Sequence, residues 1–444
     1  MIKNGLQIEY LGVSVVRENP RSARRHSKKK VSQLADSIRR LGFNVPLIVD
    51  PANVVLAGHA RLAAAKQVGM DEVPVVRVAH LSDVEARAFM LAENKFGLNA
   101  SWDFEVLAEE LNELIDVGFE AVLTGFSEAE IDLTICSAEE ARAIKSAKAP
   151  ANCIPEPPAV PVTQSGDLWQ LGRHRLLCGD ARDPSAYKRL LGKETADMVF
   201  TDPPYNVPIP GHVSGLGNVK HENFAMACGE MSDAEFIGFL ALTLSLTSQS
   251  CRDGVIAYVT MDWRHAGELI EAGKTVFSEL KNICVWNKLR GGMGAFYRSK
   301  HELIFVWKVG TAPHTNNFGL GETGRHRTNV WDYRGVSALT ASGAEALEMH
   351  PTVKPVELIV DALKDCSRRG EIVLDPFGGS GSTLIAAQKC GRIARLIEFD
   401  ARYCDTILDR YERYTGKPAT LAETGQTFEQ VAEERAAPAA GEAA

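Results

Sequence analysis

The stretch that most restricts the fold of this chain runs from Glu371 to Cys390. Glu371-Ile372-Val373-Leu374 is a short apolar run rich in branched residues, the pattern of a buried strand. It stops at Asp375-Pro376-Phe377-Gly378-Gly379-Ser380-Gly381-Ser382-Thr383, after which LIAAQKC reads as an apolar helix. A strand, a glycine turn and a helix in such quick succession call for an α/β fold with a mainly parallel sheet, because the helix must carry the chain back before the next strand begins. Glycines let the backbone approach a ligand closely, and a helix N-terminus suits an anionic group. The glycines match neither GxGxxG nor the P-loop, which needs a lysine before its Ser or Thr, and this weakens dinucleotide and ATP-hydrolysis readings.

Further strand ends fit the same layer. Arg395-Leu396-Ile397 ends at Glu398, about twenty residues past the glycine turn, where an acidic side chain is set for ribose hydroxyls. Leu176-Leu177-Cys178 runs into Gly179-Asp180, and Asp197-Met198-Val199-Phe200-Thr201 runs into Asp202-Pro203-Pro204-Tyr205. Prolines fix φ and remove donors, so the carboxylate, the Pro203 carbonyl and the Tyr205 ring can be held in one geometry. That set suits a planar amine. An exocyclic amino nitrogen of a base is a poor nucleophile because its lone pair is delocalised. Two acceptors on its N–H bonds orient it and favour its developing tetrahedral character as a methyl group arrives. Tyr205 could stack on a base drawn out of a duplex, and no covalent enzyme intermediate is needed. His350-Pro351-Thr352-Val353-Lys354-Pro355 then leads into VELIVDALKDC, just before the glycine-loop unit.

In that order, GDA, TDPPYNV, HPTVKP and DPFGGSGST resemble the β-class amino-methyltransferases of DNA, over Leu168 to Tyr414. The resemblance implies a Rossmann-like S-adenosylmethionine-dependent fold with a mainly parallel seven-stranded sheet, the cofactor lying outside the carboxyl ends of the strands. It implies that Asp202, Pro203, Pro204 and Tyr205 are catalytic and that Asp180 meets the cofactor adenine. Asp375, Phe377, Gly379, Ser380, Gly381 and Ser382 would form the cofactor pocket, with Ser382 where a threonine is more usual. Thr352 and Lys354 would help at the methionine end, and Glu398 would bind ribose. Double-stranded DNA is the implied substrate, with N6 of adenine favoured and N4 of cytosine left open. A homodimer is allowed, and no metal is expected. Methylation at C5 of cytosine is excluded, because that chemistry needs a nucleophilic cysteine that typically follows a proline, and the chain has no Pro-Cys pair. RNA or protein methylation, and a non-enzymatic DNA-binding factor, stand as competing readings.

Upstream, Asn19-Pro20-Arg21, LADSIRRLGFNVPLIVD, GHARLAAAKQVG and LAENKFGLNASWD resemble the N-terminal domain of ParB-type partition proteins, a fold related to sulfiredoxin. Members of that family use the equivalent of Gly58-His59-Ala60-Arg61 around a nucleotide phosphate, and some relatives are described as nucleases. Here Gly-His-Ala-Arg stands where Gly-Glu-Arg-Arg is usual. We read the segment as an accessory DNA-contacting or scaffold module. The locally expected elements are a helix through Val31, Leu34, Ile38 and Leu41 capped at Gly42, a hairpin from Pro46 to Leu56, an Ala-rich helix and a strand from Val73 to Val78.

At 444 residues, 45% hydrophobic and 24% charged, the chain has the length and balance of two or three soluble globular units. Its boundaries are read as a small α/β ParB-like domain at 7–100, a helical connector at 101–148, a Pro-rich linker at 149–166, a methyltransferase domain at 167–415 and a disordered tail at 416–444. A net charge of -8 argues against indiscriminate polyanion binding, so any nucleic-acid surface must be local. One candidate is Arg21 to Lys30, where six of ten residues are Lys or Arg. The N-terminus lacks a signal-peptide pattern, and the most apolar stretch, Phe236 to Leu246, is too short to span a bilayer, which points to the cytoplasm. The nine scattered cysteines are read as reduced structural thiols. Target recognition is expected in Val207 to Glu230 and Gly310 to Met349, while Arg290, Tyr297, Arg298 and Lys300 receive no site role.

Overall fold

The computed structural model describes residues 6–96, 101–146, 151–206, 229–288, 296–318, 327–334 and 353–436. They fall into two compact units, Met1–Ala138 and Glu139–Ala444. Among them no helix is long and apolar enough to cross a membrane.

The first unit is built on a four-stranded sheet of β1 (Ile8–Gly12), β2 (Leu47–Val49), β3 (Val55–Ala57) and β4 (Glu72–Arg77), in the order β1-β4-β2-β3. The helix read from Val31, Leu34, Ile38 and Leu41 spans Lys28–Leu41. Ser27 caps its start, and Gly42, at φ 88°, closes its end. The expected hairpin is present as antiparallel β2 and β3, and the Asp50 carboxylate shapes its turn by accepting the N–H groups of Ala52 and Val54 at 2.8 Å each. β1 was not anticipated, since its residues alternate in burial without a strong apolar signal. Two helices follow, Phe104–Asp116 and Glu128–Ser146. The second begins with a reciprocal cap in which Ser127 N–H donates to Glu130 at 2.8 Å and Glu130 N–H donates to Ser127 Oγ at 3.3 Å.

The described residues of the second unit form ten strands where seven were expected. They are β5 (Leu168–Leu171), β6 (His174–Cys178), β7 (Met198–Thr201), β8 (Ile256–Met261), β9 (Glu279–Asn287), β10 (His301–Lys308), β11 (Val330–Asp332), β12 (Ile372–Asp375), β13 (Ile393–Glu398) and β14 (Thr420–Leu421). The order is β11-β9-β10-β8-β7-β12-β13-β6-β5-β14. The run β8-β7-β12-β13-β6 is wholly parallel, while β10 and β5 enter antiparallel. The extra strands arise at the edges. Gly172, at φ 58°, turns β5 back onto β6, and a Cβ there would strike Tyr411 Oη at 2.7 Å.

Alternate residues of the central strands serve opposite faces, as a doubly wound sheet requires. Val199, Ala257 and Val259 share one core with Tyr187, Phe236, Leu240 and Leu269 from helices Pro184–Leu191, Asp233–Gln249 and Ala266–Val276. Phe200 and Tyr258 pack on each other, and Tyr258 Oη lies 3.2 Å from Cys366 Sγ on helix Val356–Cys366.

The segment expected as a disordered tail is described through residue 436. Thr420–Leu421 pairs with β5, and Phe428–Ala436 is a helix whose Phe428 ring meets Trp169 edge-on at 5.6 Å. Leu421, Phe428 and Val431 are too few to lift a segment rich in Ala and Glu out of a disordered composition, yet they are spaced to cover the β5 edge. The Pro-rich linker is also fastened to this unit. Asp405 accepts the N–H groups of Val162 and Thr163 at 2.6 and 3.0 Å, and Arg435 grips the Val162 carbonyl and Asp167.

Candidate active site

Parallel pairing brings the carboxyl ends of β6, β7, β12 and β13 to one edge of the sheet, so residues 180, 202, 375 and 398 gather there although they span nearly half the chain. Register delivers two more. Leu303 of antiparallel β10 stands opposite Met261 of β8, and this puts Glu302 and Thr260 at the same edge.

Asp202 is the hub. Its Oδ1 accepts the Tyr205 hydroxyl at 2.6 Å and the Thr260 hydroxyl, and its Oδ2 accepts Lys354 Nζ at 2.7 Å. A carboxylate has roughly four lone-pair directions. Among the described residues, three donors leave one direction open, on Oδ2. Lys354 also donates to Tyr205 Oη at 3.0 Å, stands 5.3 Å from the centre of the Tyr205 ring and pairs with Glu302 at 2.9 Å. Glu302 is buried and takes a second cation, Lys288, on its other oxygen. Burial would raise the Glu302 carboxyl, but Lys354 and Lys288 overcome it and hold it at about 2. Burial works against the Lys354 ammonium, yet Asp202 and Glu302 raise it above the ordinary lysine range. The same burial, reinforced by both carboxylates, pushes the Tyr205 phenol well up, so it stays a donor.

Lys354, expected at the methionine end, has its ammonium on Asp202 and Glu302. Thr352, its expected companion, lies outside the described residues, as do His350, Pro351, Arg290 and most of both expected recognition segments.

The glycine loop is set by contacts beneath it. Asp375 is buried, accepting Thr201 Oγ1 at 2.8 Å, Thr383 Oγ1 at 2.6 Å and the Phe377 N–H at 3.1 Å. It ties the end of β7 to the loop. Gly379 has φ 52° and Gly381 φ 80°. A Cβ at Gly381 would press on Ile407 at 3.1 Å, while one at Gly379 would meet only the Phe377 carbonyl at 4.0 Å, leaving a cradle above the backbone. Glu398 accepts the Gly379 N–H at 2.6 Å and the Asp400 N–H at 2.9 Å. Burial pushes the Glu398 and Asp375 carboxyls up to about 7.

Asp180 is gripped by Arg182 through a fork at 3.0 and 2.7 Å, and the neighbouring Gly179 N–H reaches the Glu398 carbonyl at 2.8 Å. Partial burial pulls the Asp180 carboxyl upward, but Arg182 wins and holds it below the usual range. Phe377 meets Phe239 at 6.0 Å. Ser380 and Ser382 are anchored from below by the buried Arg410, whose Nη1 donates to the Ser380 carbonyl at 2.7 Å and lies 3.2 Å from Ser382 Oγ.

Several contributors escaped the sequence reading. Arg410 Nη2 reaches the Ala151 carbonyl at 2.9 Å, and Asn152 Oδ1 accepts the Val356 N–H at 3.1 Å, supplying the cap that Pro355 lacks. The linker thus braces both the glycine loop and the helix that follows Lys354. Asn206, at φ 51°, accepts the N–H groups of Gly229 and Met231 and donates to the Met231 carbonyl, so it closes the base of the segment between them. In the first unit, Arg61 donates to the Pro46 carbonyl at 3.2 Å, while Arg61 Nε and His59 Nε2 are buried without a partner beside Gly58.

The donor set fits a nucleoside-bearing cofactor with a carboxylate. A glycine cradle and helix N-terminus suit an anion, an acid follows on the next strand, and a second acid stands on the strand beyond it. Three family models match the chain: "DNA methylase" over residues 196–409, "ParB-methyltransferase HTH domain" over 105–165 and "ParB N-terminal domain" over 3–95. The ParB-like nuclease domain-containing protein YnaK of Escherichia coli is 36% identical over 78 residues, 18% of this chain and 90% of that protein. The DNA adenine methyltransferase YhdJ of the same organism is 25% identical over 255 residues, 52% of this chain and 81% of that one. The type II methyltransferase M2.MboI of Moraxella bovis is 22% identical over 226 residues, 49% of this chain and 81% of that one.

Proposed function

This chain belongs to the N6/N4 DNA methylase family in its C-terminal unit and to the ParB N-terminal family at its start, and from that premise we propose that it methylates N6 of adenine at specific sites in double-stranded DNA. S-adenosylmethionine supplies an electrophilic methyl group on a sulfonium. The rest is the work of the chain. Asp202 Oδ2 takes one N–H of the target amine in its remaining acceptor direction, and the Pro203 carbonyl takes the other. Together they aim the nitrogen and stabilise the positive charge that builds on it. Lys354, Tyr205 and Thr260 fix the carboxylate plane through the three contacts already described. Pro204 holds Tyr205 in register, with its hydroxyl tied to Asp202, so the ring is fixed for stacking on an extruded base.

The observation that carries this reading is the carboxylate at the end of β7, held on three sides and open on a fourth, beside a glycine loop to which Thr201 and Asp375 connect it. Resemblance to YhdJ, which is named an adenine methyltransferase, supports adenine over cytosine. The test is transfer of tritiated methyl from S-adenosylmethionine to duplex DNA, RNA and protein, followed by sequencing of the modified DNA. N6-methyladenine is expected. N4-methylcytosine would overturn the choice of base, and label in RNA or protein alone would overturn the choice of substrate.

Glu398 is assigned to the ribose hydroxyls, Asp180 to the adenine, and the Gly379 to Ser382 backbone to the methionine carboxylate, with Phe377 lining the pocket. Because burial raises the Glu398 carboxyl to about 7, it is a carboxylate above that pH and an acid below it. Cofactor binding that needs the carboxylate should weaken as pH falls, approaching about tenfold per unit below 7. Calorimetric titration between pH 5.5 and 8.5 reads this. Glu398→Gln should bind weakly with a flat profile, whereas a flat profile in the wild type would remove Glu398 from ribose recognition.

A further inference from the structure

The loop between β9 and β10 carries Phe296 and Tyr297, which are 95% and 81% exposed, more so than any other large apolar side chains among the described residues except Val160. Their rings meet edge-on at 4.8 Å and 85°, so they pack on each other and on nothing in the core. Aromatic side chains contribute the largest burial terms of any residue, so two of them exposed side by side form a surface that a partner could cover. Arg298 and Lys300 are exposed beside them, in a chain whose net charge is -8. Adjacent cations and bare rings suit a polyanion that also offers flat apolar faces, which is a description of nucleic acid.

The root of this loop is fixed to the reaction centre. Lys288 N–H donates to the Lys300 carbonyl at 2.9 Å and Asn287 pairs with His301, which closes the loop at its base. Lys288 and Glu302, one on each side of the closure, are ion-paired, and Glu302 continues to Lys354 and so to Asp202. Phe296 lies six steps along the chain from Glu302, so its Cα can lie no further than about 21 Å from that of Glu302. Drawing one base into the site leaves a gap in the duplex about 3.4 Å high. That gap accepts an aromatic or apolar side chain.

We propose that Phe296 and Tyr297 form a wedge that enters the space vacated when the target base leaves the DNA stack, with Arg298 and Lys300 on the flanking phosphates. This rests on the base-extruding reading above. The wedge holds the opened duplex, and the target amine is thereby kept at Asp202 for longer.

Once sequencing has located the methylated site, two short duplexes separate this role from general docking. One is fully paired. The other has an abasic position opposite the target, so that the target is already loosely held. The double variant Phe296→Ala, Tyr297→Ala should lose about 30-fold in kcat/KM on the paired duplex, the scale of one or two base–aromatic stacks. On the abasic duplex it should stay within about threefold of the wild type, with unchanged cofactor Kd as the check on folding. Equal activity on the paired duplex overturns the wedge. An equal loss on both duplexes overturns it in favour of plain DNA docking, and a change of oligomeric state with an equal loss makes the ring pair a protein contact. Wild-type protein that labels no DNA at all defeats the functional reading itself, and is recognised before any variant is compared.

Discussion

Asp202→Ala is expected to reduce kcat for DNA methylation by at least about 10³-fold, the scale of losing a principal electrostatic contact to the reacting group. Cofactor affinity should remain within about threefold, because no described contact joins Asp202 to the glycine loop except through Thr201 and Asp375, which the substitution leaves in place. The fold should survive as well. Lys354 keeps Glu302 as a counter-charge, and Tyr205 keeps Thr260. Single-turnover methylation and calorimetric cofactor binding, made on the same preparation, check the two halves of the expectation. Residual activity above a tenth of the wild type would mean that the amine is oriented elsewhere, and a parallel loss of cofactor affinity would mean that the two loops are not independent.

That separation follows from how the chain builds the site. Asp202 and the glycine loop lie at the ends of adjacent strands β7 and β12, and one buried carboxylate, Asp375, joins them by accepting Thr201 from one side and Thr383 from the other. The amine acceptor is thus registered to the cofactor loop by a contact that belongs to neither substrate. The linker adds a second brace. Through Asn152 it caps the helix after Lys354, and through Ala151 it meets Arg410 under Ser380 and Ser382. The methyltransferase scaffold therefore begins upstream of the first strand of its sheet, in residues that composition alone describes as a stiff spacer.

What could be read in the sequence were features whose signal is local. Asp202, Glu398 and the glycine turn each end a short apolar run, and strand ends are marked by their own residues. Glu302 and Thr260 were invisible for the opposite reason. Each sits in an apolar strand where a single polar residue reads as a solvated position, and only the antiparallel register of β10 on β8 brings them to the edge occupied by Asp202. Arg410 and Asn152 act across 30 and 204 residues, and no periodicity encodes such contacts. The strand count departed from seven at the β5 edge, where pairing is decided by a turn at Gly172 and by three apolar residues in a polar tail. Lys354 was found, but not its contacts with Asp202 and Glu302, because a motif names a residue and only packing names its partners.

Lys354→Met should be the second most damaging change, and its pH profile should identify the cause. In the intact site Glu302 is held at about 2 by Lys354 and Lys288, so it is ionised throughout the usual assay range and contributes no pH dependence there. Removing Lys354 leaves Asp202 and Glu302 as neighbouring carboxylates about the Tyr205 hydroxyl, with Lys288 reaching only Glu302. Like charges in a buried site raise the pKa of the pair, so one proton is retained to higher pH. A proton shared by the pair takes up an acceptor direction that the amine needs. Activity should therefore fall by roughly 10²-fold near pH 7, a loss in keeping with the cost of breaking a buried ion pair, and should partly recover as pH rises toward 9. The wild type should show no matching rise. Lys354→Arg keeps the charge and should restore most of the profile even where geometry costs some rate. kcat/KM measured from pH 6 to 9 for the three proteins decides it. A loss that is the same at every pH would reduce Lys354 to a packing role, whereas an acid limb displaced upward in the methionine variant alone would show that the ammonium keeps the carboxylate pair open to the amine.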